Sequence, residues 1–313
     1  MRAIVTGGAG FIGSHIAEAL IRDGYEVLIL DDLSSGQEAN VPEGAALVPL
    51  DIRDRDGVMR VFEDFRPEVV SHQAAQASVS VSVARPLFDA EVNVLGGLNV
   101  LEAAREVGVR HFLFASTGGA IYGEVPEGER ASEDWPARPK SPYAASKAGF
   151  EHYLASYHKN HGLAYTALRY GNVYGPRQNP HGEAGVVAIF SMRLLKGEPV
   201  VLFARSEPGD PGGVRDYIHV DDVVAAHQLA LKKGLVGVYN VGTGEGHTTE
   251  EVLRTLAAAL GVEPKVRFAP PRPGDLEVSV LDPAKLMGEG WRPRVSFAEG
   301  LAETAEWFRR QLG

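Results

Sequence analysis

The chain opens MRAIVTGGAGFIGSHIAEAL, residues 1–20. A short β-branched run at 3–6 leads directly into Gly7-Gly8-Ala9-Gly10-Phe11-Ile12-Gly13, and helical spacing begins at 12–22. Strand, glycine turn and helix in that order make an anion cradle, because the first amides of a helix and its positive end face whatever the glycines admit. Gly7 permits the tight turn, Gly10 lets a diphosphate approach the backbone, and Gly13 lets the helix pack closely on the sheet. Phe11 and Ile12, inside the same turn, join the expected binding set.

Asp31 stands at the end of the second β-branched run. A carboxylate there accepts hydrogen bonds from adenosine ribose hydroxyls and repels a 2′-phosphate, which favours NAD over NADP. Asp32 beside it is placed to share or swap this role. The following residues 33–36, with Ser35 and Gly36 among them, hold no Arg to welcome an extra phosphate. At the third strand's end, Asp51 and Ile52 are placed for an adenine ring: a carboxylate for its amino group and an aliphatic face for its plane.

Further β-branched runs at 27–30, 46–50, 69–72, 112–115 and 166–169 alternate with helical spacing at 55–65, 88–107 and 145–158. That rhythm implies βαβ units, a doubly wound parallel sheet of Rossmann-like α/β class, and ligands at the strand C-termini. After about residue 169 it breaks. Loops at 170–185 and 204–213 flank a helix at 187–195 and a strand at 200–203. Thr248-Thr249-Glu250-Glu251 matches a capping box, and a final amphipathic helix starts at Ser296. The expected division is 1–170 for the NAD-binding domain, rejoined by about 215–242, and 171–313 mainly for a smaller C-terminal α/β substrate domain. Residues 217–220 and 238–241 look like extra sheet strands.

Composition sets outer limits. A chain of 313 residues with 44% hydrophobic content fits one large or two modest folded domains. It contains no Cys, which removes disulfide frameworks, thiolate metal sites and cysteine nucleophiles. A net charge of -10 opposes nucleic-acid binding but not a local basic pocket for a small anion. There is neither a signal-peptide pattern nor an apolar run of about 18 residues, so the expectation is a cytoplasmic protein with no membrane partner. His158 and His161 are helix-spaced but lack a third ligand, so no metal is expected.

Ser141-Pro142-Tyr143-Ala144-Ala145-Ser146-Lys147 places Tyr and Lys at i and i+4, on one face of a helix. Tyrosine, with an ordinary pKa of about 10, is a poor base near neutrality. A neighbouring ammonium and a cationic nicotinamide both favour its phenolate.

These features, with Gln73-Ala74-Ala75, Asn93, Ser116-Thr117 and Arg169-Tyr170-Gly171-Asn172, resemble the extended short-chain dehydrogenase/reductases over essentially the whole chain. Within that family, Val214-Arg215-Asp216-Tyr217-Ile218-His219-Val220 and Arg272-Pro273-Gly274-Asp275 resemble the nucleotide-sugar 4-epimerases. The resemblance implies that Tyr143 is the base and Lys147 its electrostatic partner. It implies that Ser116 and Thr117 lie where a hydroxyl bridges sugar and Tyr143. Gln73, Ala74, Ala75, Asn93 and Tyr170 then border the cofactor, and Asn172, Val187, Phe203, Arg215, Arg272 and Asp275 bind a uridine diphosphate. It also implies a homodimer through two long helices, for which 88–107 and 145–158 are the candidates. Two Arg side chains suit a diphosphate, whose oxygens they grip bidentately.

Two departures from the family pattern bear on the reaction. Counting back from Tyr122 lands on Gly118, which has no hydroxyl, so an extra glycine is expected to bulge and leave the role to Thr117. Four residues after Asp275, where the family often places a bulky Tyr, this chain has Ser279, which leaves room for an N-acetyl group. Family dehydratases place acid/base carboxylates, and decarboxylases a Glu, in the turn that holds Gly118-Gly119 here. Elimination without a placed proton donor forfeits roughly 10²–10⁴ in rate. The expected activity is therefore 4-epimerisation of UDP-hexoses, the N-acetyl forms included, with NAD kept bound. A decarboxylase, a dehydratase and a catalytically idle NAD-binding regulator remain as alternatives.

Overall fold

The computed structural model describes residues 1–180, 185–272 and 275–312, so Pro273 and Gly274 of the Arg272–Asp275 motif lie outside the described residues. In chain order the elements are β1 (Arg2–Thr6), α1 (Phe11–Arg22), β2 (Glu26–Asp31), β3 (Ala45–Pro49), α2 (Arg55–Phe65), β4 (Val69–His72), α3 (Val79–Ala84) and α4 (Pro86–Ala90). A π-helical turn, Glu91–Gly96, leads into α5 (Gly97–Val107), β5 (His111–Thr117), α6 (Gly118–Ile121), α7 (Pro142–His161), β6 (Ala164–Tyr170) and β7 (Asn172–Tyr174). Then come α8 (Val186–Leu195), β8 (Val200–Phe203), β9 (Val214–His219), α9 (Val220–Lys233), β10 (Gly237–Val241), β11 (Gly246–Thr248) and α10 (Thr249–Leu260). The chain ends with β12 (Val266–Ala269), β13 (Val278–Ser279), α11 (Ala284–Gly288) and α12 (Phe297–Leu312).

Two compact units result. The first takes Met1–Thr117, Ser141–Arg169 and Val224–Tyr239; the second takes Gly118–Lys140, Tyr170–Val223 and the chain from Asn240. Gly118–Lys140 thus belongs with the second unit, unlike in the division expected above. The returning stretch is also shorter than the expected 215–242.

The first unit holds a seven-stranded sheet in the order β10-β6-β5-β4-β1-β2-β3. The pairs β3–β2, β2–β1, β1–β4 and β4–β5 are parallel, and strand order reverses at β1/β4. In a doubly wound sheet that reversal opens the ligand crevice at the strand C-termini. The strands are apolar on both faces because helices cover both. Ile4, Leu30, Val70, Phe112 and Phe114 are buried with Phe62 of α2, Leu101 of α5 and Phe150 of α7. The run read as one helix over 88–107 is in fact three pieces, since the π turn opens the ladder between α4 and α5.

The second unit is built on β9. It pairs with β11, β13 and β7, while β8 and β12 make a separate parallel pair. Residues 217–220, read as a possible return to the large sheet, therefore belong mostly to β9, and it is β10 that rejoins that sheet. Helices α8, α10 and α12 pack mutually around Phe190, Leu253, Leu256 and Leu301. The capping box is formed: Thr248 Oγ1 accepts from Glu251 N, and Glu251 Oε2 accepts from Thr248 N.

Candidate active site

The glycine turn is shaped by clashes that side chains would cause. Gly7 sits at φ 68°, in the left-handed region that Gly enters without steric cost. A Cβ on it would stand 2.6 Å from Ala74 N, so β1 and the Gln73-Ala74-Ala75 strand end meet there. A Cβ on Gly13 would lie 2.1 Å from the Gly7 carbonyl oxygen. Helix α1 starts at Phe11 with Gly10 at its N-cap and no side-chain cap, which leaves its leading amides to a ligand. A cradle closed to side chains and lined by uncapped amides fits a dinucleotide diphosphate.

Asp31 is 6% exposed; its Oδ2 accepts from Ala9 N at 3.0 Å and its Oδ1 from Leu33 N at 2.9 Å. Burial pushes its carboxyl above the ordinary range, against the pull of these two amides. Gly36 is required beside it, since a Cβ there would be 2.8 Å from Asp31 Oδ1. Asp32 instead holds its own exposed turn, accepting from Ser34 N and Oγ, with Ser35 exposed alongside. Of the two acids, only Asp31 is built into the cradle.

Asp51 and Ile52 have different surroundings. Asp51 is gripped by Arg53 through Nε and Nη2, at 2.9 and 2.5 Å, and the guanidinium holds its carboxyl low. Ile52 is 5% exposed and packs into the core, where Gly96 makes room for it. Arg53 follows Asp51 closely enough to capture it, and the apolar side chain turns inward. Gln73 donates to Ser71 Oγ. Asn93, 3% exposed, accepts from Gln76 N and directs its amide nitrogen at Gln76 O, Asp89 Oδ1 and Ser146 Oγ, so it is spent inside the protein.

Helix α7 carries the reactive pair. Ser141 caps it by accepting from Ala144 N, and Pro142 takes the first turn, where no amide partner is lost. Tyr143 and Lys147 follow one turn apart. Desolvation pushes Tyr143 up to about 12, with the Thr117 side chain at the end of β5 pulling down and the charge of Asp89 pushing up. Lys147, 3% exposed, donates to Ala115 O at 2.9 Å and lies 4.7 Å from the Phe114 ring centre. Burial lowers it to about 8, opposed by Asp89 and Glu151. The Lys147 ammonium thus lies against a backbone carbonyl and an aromatic face.

Ser116 and Thr117 divide cleanly. The Ser116 hydroxyl donates to Glu151 at 2.5 Å, away from Tyr143. The extra glycine makes no bulge: β5 runs through Thr117, and Gly118-Gly119 begin the short helix α6.

In the second unit, β13 pairs with β9 so that Ser279 sits opposite Arg215. Ser279 is 2% exposed, and its Oγ donates to Gly119 O at 3.4 Å. A Cβ on Gly119 would lie 3.1 Å from Asn172 Oδ1, which draws Asn172 into the same cluster. Arg215 donates to the carbonyls of Val214, Leu276 and Glu277; burial lowers its pKa, and Tyr217, Asp275 and Glu124 oppose that. The Arg272 guanidinium stacks 4.7 Å from the Phe203 ring centre and pairs with Asp275 at 2.8 Å. Asp275 is therefore engaged by a cation. Val187 is 1% exposed, in the core of this unit. Tyr170 opens the segment of this unit that contains β7 and is 4% exposed.

Three acids escaped sequence reading. Glu151 lies one turn beyond Lys147 on the same stripe, a signal the sequence did contain; it binds Arg169 at 2.6 Å. Asp89 lies one turn before Asn93 and is 1% exposed. Asp210 organises the 204–213 loop, accepting from the amides of Arg205, Ser206, Glu207 and Gly212. For metal, one trio among the described residues, His219, Asp221 and Glu303, comes close together. Its carboxylates are more than half exposed, and Asp221 N already donates to His219 Nδ1.

The family model of the NAD dependent epimerase/dehydratase family matches residues 3–242. The chain belongs to that family. NAD is its cofactor. A UDP-glucose 4-epimerase of Mycolicibacterium smegmatis is 46% identical to this member of the family, covering 99% of each chain. The structure of a UDP-glucose 4-epimerase of Thermus thermophilus in complex with NAD matches with TM-score 0.96 and 65% identity, over 99% of each chain. A UDP-glucose 4-epimerase of Thermotoga maritima with UDP-glucose matches with TM-score 0.95 and 47% identity, over the whole of both chains. As a family member, the chain carries Tyr143 and Lys147 on α7 and Thr117 at the end of β5. No helix among its described residues is long and apolar enough to cross a membrane.

Proposed function

We propose that this family member is an NAD-dependent UDP-hexose 4-epimerase. The observation that carries the reading is a strand end at which Thr117 acts on Tyr143 to lower its pKa, followed directly by Gly118 and Gly119. It leaves one proton-handling side chain, Tyr143, and no carboxylate in that turn. One base suffices for oxidation and reduction at a single carbon, whereas elimination needs a further placed acid. NAD, when bound, would supply a reversible hydride acceptor for the sugar C4.

Tyr143 receives the O4 proton as C4 is oxidised and gives it back when the hydride returns to the other face of the ketone. Thr117 stabilises the phenolate by donating to its oxygen, and charge-assisted bonds of this kind are roughly twice as strong as neutral ones. Lys147, held by Ala115 O, is kept in register one helical turn away. The diphosphate grip falls to Arg215 and Arg272, with Phe203 beside Arg272 offering a ring face for uracil. Ser279 and Gly119 are the small residues that admit an N-acetyl group.

Support for a homodimer comes from the first unit's surface. Val83, Leu87, Leu95 and Tyr153 are 61, 79, 58 and 43% exposed on α3, α4, the π turn and α7, elements that pack against one another. Clustered apolar exposure of this kind marks an association surface.

The test is incubation of the purified protein with UDP-galactose, followed by ¹H NMR of the anomeric signals. UDP-glucose forms, and Tyr143→Phe abolishes its formation while retaining NAD. Absence of the epimer from the wild-type incubation overturns the reading.

A further inference from the structure

Gly123 turns the chain shortly after α6. It sits at φ 71°, and a Cβ on it would stand 2.7 Å from Arg138 O, so only glycine fits the turn. Tyr122, the residue before it, is anchored by its hydroxyl, which donates to Asn240 Oδ1 at 2.7 Å. Glu124 follows directly. Its Oε1 accepts from Lys140 Nζ at 2.8 Å. Its Oε2 accepts from two successive amides, Glu277 N at 2.9 Å and Val278 N at 3.2 Å. Successive amides that converge in this way form a small anion-binding concavity. This one lies in the bend at Glu277 that opens β13. Against desolvation, Lys140 and the two amides hold the Glu124 carboxyl below the ordinary range.

The same bend holds Arg215 by its oxygens. Nη2 donates to Leu276 O, and Nη1 donates to Glu277 O at 3.3 Å. Leu276 O and Glu277 N are the two ends of one peptide group, and Glu277 O and Val278 N are the two ends of the next. In a trans peptide the carbonyl and the N–H point in opposite directions. Each of these groups is therefore bound at its nitrogen by the Glu124 carboxylate and at its oxygen by the Arg215 guanidinium. Hydrogen bonds at both ends polarise a peptide group and strengthen one another. We propose that Glu124 is a positioning residue for the diphosphate grip, setting the Arg215 guanidinium through the two peptide groups of the 276–278 bend. This rests on the epimerase reading for the diphosphate, not for the hold on the guanidinium.

A guanidinium grips a diphosphate bidentately only when its plane is held in the right orientation. With Glu124 gone, the bend loses one of its two charged anchors, and the Arg215 plane must be ordered each time the ligand binds. That cost falls on substrate and transition state alike, so KM rises while kcat holds. A merely structural role for Glu124 would weaken the second unit without acting through Arg215. The two cases separate in a double-mutant cycle, since an effect transmitted by the guanidinium vanishes once the guanidinium is removed.

The experiment is calorimetric titration of UDP into the wild type, Glu124→Ala, Arg215→Lys and the double variant. Glu124→Ala is expected to weaken UDP binding about tenfold, as befits a lost charge-assisted anchor. In the Arg215→Lys background the same substitution is expected to change it by less than about twofold. Equal weakening in both backgrounds overturns the proposal, and so does unchanged binding in Glu124→Ala. If Glu124→Ala fails to fold, the cycle is run with Glu124→Gln, which keeps an acceptor for the two amides but no charge. A loss of about threefold, absent from the Arg215→Lys background, is then expected, and no loss overturns the proposal. A wild type that takes up no UDP refutes the epimerase reading instead. The hold on the guanidinium is then decided without any ligand, in protein labelled with ¹⁵N-arginine and with Arg215 assigned by Arg215→Lys. Its Nη signals should be resolved in the wild type, where carbonyls stop the rotation, and should merge in the Glu124 variant. Identical spectra overturn the proposal.

Discussion

Ser116 donates to Glu151 at 2.5 Å, whereas its neighbour Thr117 acts on Tyr143 and lowers its pKa, so adjacent hydroxyls on one strand have different partners. Alternation along β5 turns them to opposite faces. Thr117→Val removes a donor to the phenolate and should lower kcat by about 10–100-fold, from a charge-assisted bond of roughly 1.5–3 kcal/mol. Ser116→Ala should leave kcat within a few-fold and cost about 1 kcal/mol in urea unfolding. Steady-state kinetics and unfolding curves on both variants check the division. Equal kinetic loss in the two would refute it.

Ser279 should govern which sugars are accepted. It is buried, faces the Gly119 carbonyl and stands opposite Arg215 on the next strand. Ser279→Tyr fills that space. We expect epimerisation of UDP-N-acetylglucosamine to fall by at least about 100-fold, as befits exclusion of a bulky group, while UDP-glucose turnover changes by less than about tenfold. Parallel assays with the two sugars decide it, and a uniform loss on both would count against the assignment.

Acid sensitivity should come from three buried imidazoles in the first unit. His72 and His227 are held down at about 3 and His111 at about 4, chiefly by burial. The unfolded chain takes up these protons near pH 6.5, whereas the fold refuses them until about 4 or below. The stability they allow is thus complete above about 6.5 and is lost as pH falls toward 4. Each ring contributes a slope of up to about 1.4 kcal/mol per pH unit in that window. Urea unfolding at pH 7, 6 and 5 should show the decline, and His111→Gln should flatten it. An unchanged slope in the variant would exclude His111.

Association should be broken from the first unit's apolar surface. Leu87 and Leu95 are the most exposed large aliphatics of α4 and the π turn. The double variant Leu87→Asp with Leu95→Asp should convert a dimer into a monomer by light scattering, with NAD retained. A wild-type protein that already runs as a monomer would end the homodimer reading.

Much of this was legible in residue order, for reasons that differ by residue. Gly7 and Gly13 announce their roles because the backbone itself is what approaches, and only glycine permits a Cα within these distances of Ala74 and the Gly7 carbonyl. Tyr143 and Lys147 are legible because helical geometry relates i to i+4. Asp51 was legible only in part, because its strand-end position does not reveal that Arg53, two residues on, pairs with the carboxylate. Val187 is buried for a reason of the same kind, since one face of α8 is core and a single apolar letter does not say which. Asp89 was invisible because its neighbours, Gln76 and Asn93, are assembled by a π turn that no simple period encodes.

The return of Val224–Tyr239 to the first unit has a consequence for synthesis. The outer strand β10 is not complete until the ribosome has passed Val241, long after the nucleotide cradle has emerged. Until then β6 is a bare edge, able to pair with a neighbouring nascent chain. A fragment cut at residue 170 keeps every glycine of the cradle and still leaves that edge open. Isolating the cofactor half therefore calls for grafting a strand onto β6, or rejoining the segments by circular permutation, rather than for a stop codon.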